Sequence, residues 1–211
     1  MTCGLYPGTI RAVQSSRTWA IMLHLCQEAA LPQSTPVNMG LRTALDVVFC
    51  GYFVFQIPST VLFDTQALFP SWVYPQWLKN MRLSYLKDFR DPYMADPSSF
   101  PWFMATCAVE FSLEIPFFFV AAYAYFYGAW RCPWIRLPSL MYSVHTATSV
   151  LAIIFTTWLH DFTLYKVAGP RDVTERMRLI CVYGFFFLVC VLNILDTCFS
   201  SAYNRDKEKT N

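Results

Sequence analysis

Residues 179–195 read LICVYGFFFLVCVLNIL, seventeen consecutive positions without a charged side chain. A helix needs about 20 mostly apolar residues to cross the hydrocarbon layer of a membrane. The apolar region continues to Tyr203, so the run from Leu179 to Tyr203 is long enough to span a bilayer. Because backbone groups in lipid must be hydrogen-bonded within their own segment, this run is predicted to be a transmembrane α-helix.

Three further runs have the same character, and they extend from about Ala44 to Phe69, Trp102 to Trp130 and Leu137 to Leu159. Tryptophan and tyrosine residues lie near the ends of the runs, where amphipathic rings favour the headgroup level of a membrane. The sequence therefore predicts an all-α membrane protein. Its residues 39–203 would form a four-transmembrane-helix bundle.

The composition supports lipid as the solvent of this chain. Hydrophobic residues make up 55% of the sequence and charged residues only 14%, and the mean hydropathy is +0.34. That charged fraction is low for a soluble domain. A net charge of +2 without a concentrated basic face excludes a nucleic-acid partner. The eight cysteines form no CxxC pair, so no disulfide framework, metal site or other cofactor is expected.

The two ends of the chain differ from its apolar middle. Residues 1–38 are predicted to be a disordered extension, and a transit-like leader is the alternative. Residues 204–211 form a charged tail that ends KEKTN, similar to the KxKxx dilysine retrieval signal of endoplasmic reticulum proteins; a simple solvated tail is the alternative. Such a signal would place the C-terminus in the cytosol, and four spans would place the N-terminus there too. The count of basic residues in the loops leaves the orientation open.

The connection between the first two runs contains an amphipathic segment. Residues 77–87 read WLKNMRLSYLK and mix apolar with basic residues. This pattern predicts a helix at the membrane interface that packs across the mouth of the bundle.

Three of the acidic residues within the apolar runs are candidates for a functional role. Asp64 is predicted to lie about 7.5 Å inside the end of the first helix. Glu110 and Glu114 are four residues apart, so they share a helical face that must point into the bundle. Carboxylates inside a membrane are costly, and we interpret Asp64 and Glu110 as binding residues. Glu114 is interpreted as a structural residue paired to a hydroxyl such as that of Tyr142 or Thr146.

Each of the first two runs contains a proline in a similar context, FVFQIP at 53–58 and FSLEIP at 111–116. Proline removes a helical hydrogen bond, so kinked first and second helices are predicted. Facing kinks could open an aromatic cavity that suits a sterol or an amphiphilic amine. The residues expected to line it are Phe117, Tyr142, Tyr183 and Phe186.

His145 is the only histidine in the middle of a run. One interpretation is a core histidine whose ring nitrogens are hydrogen-bonded within the bundle. The other is an acid–base group that works with a glutamate to move a proton on a sterol ring, as a sterol isomerase requires.

From about Met39 to the C-terminus, roughly four fifths of its length, the chain resembles the sigma-2 receptors of the EXPERA-domain family. The stretches that carry the resemblance are 56–67 (QIPSTVLFDTQA), 87–92 (KDFRDP), 115–118 (IPFF), 134–136 (WIR) and 142–146 (YSVHT).

The resemblance implies a four-helix protein of the endoplasmic reticulum membrane, with the nuclear membrane as a second location and both termini in the cytosol. It implies a homodimer that contacts membrane lipid, binds sterols or oxysterols and cationic amphiphilic small molecules, and takes part in cholesterol trafficking. An emopamil-binding-type sterol isomerase is the alternative. A third possibility is a protein that retains a membrane partner, such as the Niemann–Pick type C cholesterol transporter.

The same resemblance implies a set of ligand-binding residues. Asp64, Asp91 and Glu110 match the acids that the family uses, although Asp91 before Pro92 also fits a helix N-cap. At Glu114, Ser149 and Phe186 the relatives carry Gln, Thr and Tyr. The complete predicted set is Asp64, Asp91, Glu110, Tyr142, His145, Ser149, Tyr183 and Phe186.

Overall fold

A computed structural model of the chain describes residues 39–162 and 169–203. The predicted N-terminal extension at 1–38 and the predicted retrieval signal at 204–211 lie outside these residues. Within the described ranges every regular element is helical. The helices are α1 (Met39–Leu62), α2 (Gln76–Phe89), α3 (Pro92–Ala95), α4 (Pro101–Val109), α5 (Ile115–Tyr127), α6 (Arg136–Leu159) and α7 (Val173–Phe199).

Four segments of this structure are long and apolar enough to cross a membrane. They are α1 with the turn after it, α4 and α5 with the segment that joins them, α6 with the turn before it, and α7. The most extensive packing joins α6 to α7 and α1 to α5. The predicted four-helix membrane bundle is therefore confirmed.

The second span changes its helical type beside its proline. Residues Glu110–Glu114 form a π-helix between α4 and α5, in which the Ile115 N–H bonds to the Glu110 carbonyl five residues back. Pro116 follows and has no N–H of its own, so the regular α-helical ladder is interrupted here. In the first span, Pro58 lies inside α1, which continues to Leu62.

The prediction that Asp64 lies within a continuous first helix is wrong. The α-helix ends at Leu62, and Asp64 begins a 3-10 turn, Asp64–Ala67. Side chains explain this end, because the Thr65 hydroxyl donates to the Val61 carbonyl at 2.8 Å. The Gln66 amide likewise donates to the Leu62 carbonyl at 2.8 Å. The last carbonyls of α1 are therefore satisfied without a further turn of helix.

The predicted amphipathic segment forms α2, which confirms it as a helix. Leu78 is buried with 2% exposure, whereas Trp77 and Leu83 are exposed on other faces. Arg82 holds the helix in place, because its guanidinium donates to the carbonyls of Gln66 and Met94. The connection between the first two spans is thereby fixed against the end of the first span.

A buried ionic cluster joins the start of α1 to the end of α7. The Arg42 guanidinium donates to Asp46 at 2.6 Å and to both oxygens of Asp196 at 2.7 and 2.8 Å. The Tyr203 hydroxyl donates to Asp196 at 2.7 Å. All four side chains are buried. This cluster closes one end of the bundle, and the sequence reasoning did not anticipate it.

Candidate functional site

A cavity of about 320 Å³ lies among α1, α2, α4, α6 and α7. This volume lies at the lower end of the range of pockets that hold small molecules. Most of its wall is apolar and aromatic, and examples are Phe55, Phe63, Phe103, Ile153 and Phe186. The wall can therefore bury the body of an apolar ligand.

Three carboxyl groups line this cavity, from Asp64, Glu110 and Glu114. Asp64 begins the 3-10 turn after α1, and the two glutamates begin and end the π-helix. The cavity wall formed by the described residues contains no lysine or arginine. A cluster of acids in an apolar wall without a lysine or arginine is a setting for a cationic ligand.

Thr60 lies next to two of these acids in the fold or in the chain. Its hydroxyl donates a 2.8 Å hydrogen bond to Oε1 of Glu110, and Asp64 follows it by four residues. A threonine hydroxyl carries one proton, so it can donate to only one carboxyl at a time. The Thr60 proton is used by Glu110, and neither Asp64 nor Glu110 forms a salt bridge with any described residue.

Glu114 has different partners. His145 Nδ1 lies 2.9 Å from its Oε1, and the Thr146 hydroxyl donates to the same oxygen at 3.2 Å. The predicted hydroxyl partner is thus Thr146 and not Tyr142. Because Glu114 and His145 both line the cavity, this pair belongs to the cavity wall as well as to the packing of the second span against α6.

Asp91 lies behind the cavity wall and forms the N-cap of α3. Its Oδ1 accepts from the backbone N–H groups of Tyr93 and Met94 at 2.9 and 3.1 Å, and Pro92 occupies the first helical position. Its Oδ2 accepts from the hydroxyls of Tyr85 and Tyr183 at 2.9 and 2.7 Å. Asp91 is 0% exposed. The N-cap interpretation is therefore confirmed, and Asp91 reaches the cavity only through two tyrosines that line it.

Burial is the main cause of the pKa shifts of Asp91 and Tyr85, which lie in the connection between the first two spans. It raises the pKa of Asp91, while the hydrogen bonds from Tyr183, Met94, Tyr85 and Tyr93 act in the opposite direction. Burial, followed by the nearby Asp91 carboxylate, raises the pKa of Tyr85. Tyr85 therefore stays a neutral donor to Asp91 at ordinary pH.

The structure brings most of the predicted site residues together. The cavity wall contains Asp64, Glu110, His145, Ser149, Tyr183 and Phe186.

Tyr142 and Phe117 do not reach that wall. The Tyr142 hydroxyl bonds to that of Tyr52 at 2.8 Å, and its ring packs against Phe53 and Phe117 in the core between α1 and α5. Tyr142 and His145 are three residues apart, about 60° around α6, and Tyr142 lies in the core while His145 lines the cavity.

Sequence reasoning missed part of the wall. Tyr85 and Met94 line the cavity but belong to the connection between spans, where no ligand residue was expected from the apolar runs. Thr60, which donates to Glu110 without lining the cavity, was also missed. A signal for it existed, because it lies four residues before Asp64 and therefore one helical turn away.

Comparison with known proteins identifies the family of this chain. Residues 77–197 match the family described as EXPERA (EXPanded EBP superfamily). The chain is 39% identical over 165 residues to the sigma intracellular receptor 2 of Xenopus tropicalis, covering 78% of this chain and 94% of that protein. It is 35% identical over 161 residues to those of Homo sapiens and Macaca fascicularis, covering 75% of this chain and 89% of each. The resemblance seen in the sequence is thereby confirmed, and the chain belongs to the EXPERA family as a multi-pass membrane protein similar to the sigma-2 receptors.

Proposed function

We propose that this chain is an endoplasmic reticulum membrane receptor that binds sterols or oxysterols and cationic amphiphiles, and that it takes part in cholesterol homeostasis and trafficking. The observation that carries the proposal is the apolar cavity lined by Asp64, Glu110 and Glu114, with no lysine or arginine among the described lining residues. The names of the relatives support a receptor.

An amphiphilic amine has the complementary chemistry. Its ammonium group would lie between Asp64 and Glu110, which have no cationic partner among the described residues. Pairing offsets the cost of a buried carboxylate. The rings of Phe63, Tyr85 and Tyr183 line the same cavity and can attract the cation through their faces.

A sterol would use the same cavity differently. Its hydroxyl would donate to the Asp64 or Glu110 carboxyl, and its fused rings would lie against apolar side chains such as Val150, Ile153 and Phe186. Amines and sterols would then compete for one site.

The test is the substitution Asp64→Asn, which removes a charge and changes little volume. We expect the affinity for a radiolabelled cationic amphiphile to fall by about tenfold or more, because a charge-assisted contact is lost. The matched control is Asp88→Asn, an exposed aspartate of α2 outside the cavity wall. Equal affinities for the wild type and Asp64→Asn would refute the site. Displacement of the label by an oxysterol would test the shared pocket.

One observation favours a second candidate, a sterol isomerase. His145 and Glu114 are hydrogen-bonded at 2.9 Å in the cavity wall, where one group could protonate a ring carbon and another remove a proton from a neighbouring carbon. Purified protein would be incubated with a sterol, and the position of the ring double bond would be followed by mass spectrometry. Turnover that is lost in Glu114→Gln would decide for the enzyme.

The location and partners form part of the same proposal. The ending KEKTN supports retrieval to the endoplasmic reticulum with both termini in the cytosol. Replacing Lys207 and Lys209 by alanine should release the protein toward later compartments. Crosslinking would test a homodimer. Co-purification with and without ligand would test binding to the Niemann–Pick type C cholesterol transporter.

A further inference from the structure

Glu114 has one carboxyl oxygen that its protein partners do not use. Both His145 and Thr146 bond to Oε1, and no described residue donates a hydrogen bond to Oε2. Glu114 is 7% exposed and lines the cavity. A carboxyl oxygen of a cavity-lining residue that has no donor from the protein is open to a donor from a ligand.

Glu110, one helical turn away, also has a carboxyl oxygen that no described residue uses. Thr60 donates to its Oε1, and no described residue donates to its Oε2. Side chains four residues apart on a helix have Cβ atoms about 5–6 Å apart. The cavity thus offers two incompletely satisfied carboxyl groups from neighbouring turns of one span, and the Asp64 carboxyl lines the same cavity.

The cavity wall holds more carboxyl groups than a ligand with one cation can pair with. Three carboxyl groups face one imidazole, that of His145, and the described lining residues include no other basic group. His145 and Thr146 both bond to Oε1 of Glu114. An ammonium held at Asp64 and Glu110 therefore leaves Oε2 of Glu114 without a donor among the described residues.

We propose that this cavity selects amphiphilic diamines, in which two ammonium groups separated by a short linker precede an apolar body. The first ammonium would lie at Asp64 and Glu110, and the second would donate to Oε2 of Glu114. The apolar body would occupy the aromatic part of the wall. This inference rests on the proposed function, because it assigns a ligand class to the same cavity.

The test compares two ligands with the same apolar body, dodecylamine and its N-(aminopropyl) derivative. The linker of the diamine places its nitrogens about 5 Å apart, close to the separation of residues one helical turn apart. Full-length protein in phosphatidylcholine nanodiscs would be titrated by competition against labelled dodecylamine. Nanodiscs without protein would correct for partition into lipid. The quantity measured is the ratio of the two dissociation constants.

We expect the wild type to bind the diamine about tenfold more tightly than the monoamine, the value of one charge-assisted hydrogen bond. In Glu114→Gln the ratio should fall to about one, because a neutral amide cannot pair with a second cation. Glu175→Gln is the matched control, since Glu175 pairs with Arg90 outside the cavity wall and should leave the ratio as in the wild type.

Failure of this inference is distinguishable from failure of the receptor proposal. If dodecylamine binds and Asp64→Asn weakens it, but the ratio in the wild type is near one or is unchanged in Glu114→Gln, diamine selection is refuted and the receptor proposal stands. If dodecylamine does not bind at all, both are refuted. The comparison of ligands in the wild type tests the inference even if the variant does not fold.

Discussion

The hydroxyl of Tyr183, on the last span, donates a 2.7 Å hydrogen bond to Oδ2 of Asp91, the buried N-cap of α3. Tyr85 of α2 donates to the same oxygen at 2.9 Å. Because both tyrosines line the cavity, a residue that does not touch the cavity fixes two parts of its wall. Substitutions of Asp91 can therefore change ligand binding without removing a ligand contact.

The first prediction separates these roles of Asp91. Asp91→Ala removes the acceptor of two backbone N–H groups and two hydroxyls, and we expect a loss of about 2–3 kcal/mol in the free energy of unfolding. Asp91→Asn keeps an oxygen for the cap and should cost about 1 kcal/mol. Denaturation in mixed micelles, followed by circular dichroism, would measure both. Equal losses for the two variants would contradict the cap as the main contribution.

A second prediction concerns pH. Burial raises the pKa of Asp91 above its ordinary value of 3.8, so the folded state binds this proton more tightly than the unfolded state. The stability that follows from this difference is present below the ordinary pKa and is lost as the pH rises through the raised value. As the pH rises from the ordinary pKa to the raised pKa of Asp91, we expect the free energy of unfolding of the wild type to fall relative to that of Asp91→Asn. A difference in unfolding free energy that does not change with pH would contradict this prediction.

Local patterns allowed much of this structure to be predicted. The four spans follow from run length and hydropathy, α2 follows from its mixed apolar and basic pattern, and the cap at Asp91 follows from the dipeptide with Pro92. Each depends on residues close together in the chain. The placement of Asp64 and Glu110 in one cavity agrees with the expectation that acids within spans face the bundle interior.

Features that depend on contacts distant in sequence could not be predicted. Tyr142 bonds to Tyr52, ninety residues away, and so belongs to the core and not to the cavity. The turn that begins at Asp64 is also held by the bond from Arg82 to the Gln66 carbonyl, sixteen residues away along the chain. Propensity and spacing do not specify such partners.

A third prediction concerns the ionic cluster at the end of the bundle. Arg42→Met removes the cation that pairs with both Asp46 and Asp196, which are buried. Two uncompensated acids should lower the free energy of unfolding by about 3–5 kcal/mol. Denaturation in mixed micelles would measure the loss.

The triple variant Arg42→Met, Asp46→Asn, Asp196→Asn is the control for that prediction. It removes the acids together with the cation, so it should recover part of the stability that Arg42→Met loses. If the triple variant were less stable than Arg42→Met, unpaired burial would not be the cause of the loss.

The last prediction concerns the π-helix and its proline. Pro116→Ala supplies an N–H that an α-helix would bond to the Ser112 carbonyl, and so favours an α-helix over the π-helix. A π-helix holds about one residue more per turn than an α-helix. The change to an α-helix would therefore rotate the residues before Pro116 by about 100° about the helix axis and move Glu110 away from Thr60. We expect an equal or higher melting temperature together with an affinity for a labelled cationic amphiphile that is lower by about tenfold.

Pro58→Ala is the matched control for Pro116→Ala. Pro58 is also exposed and within a span, but α1 continues through it to Leu62 without a π-helix. Alanine there should raise the stability of the helix and leave the affinity unchanged, because the cavity residues before and after it keep their directions. If both alanine variants bound the amphiphile as the wild type does, the π-helix would not be needed to direct Glu110 and Glu114 into the cavity. A loss confined to Pro116→Ala would connect an irregular turn in the second span to ligand binding.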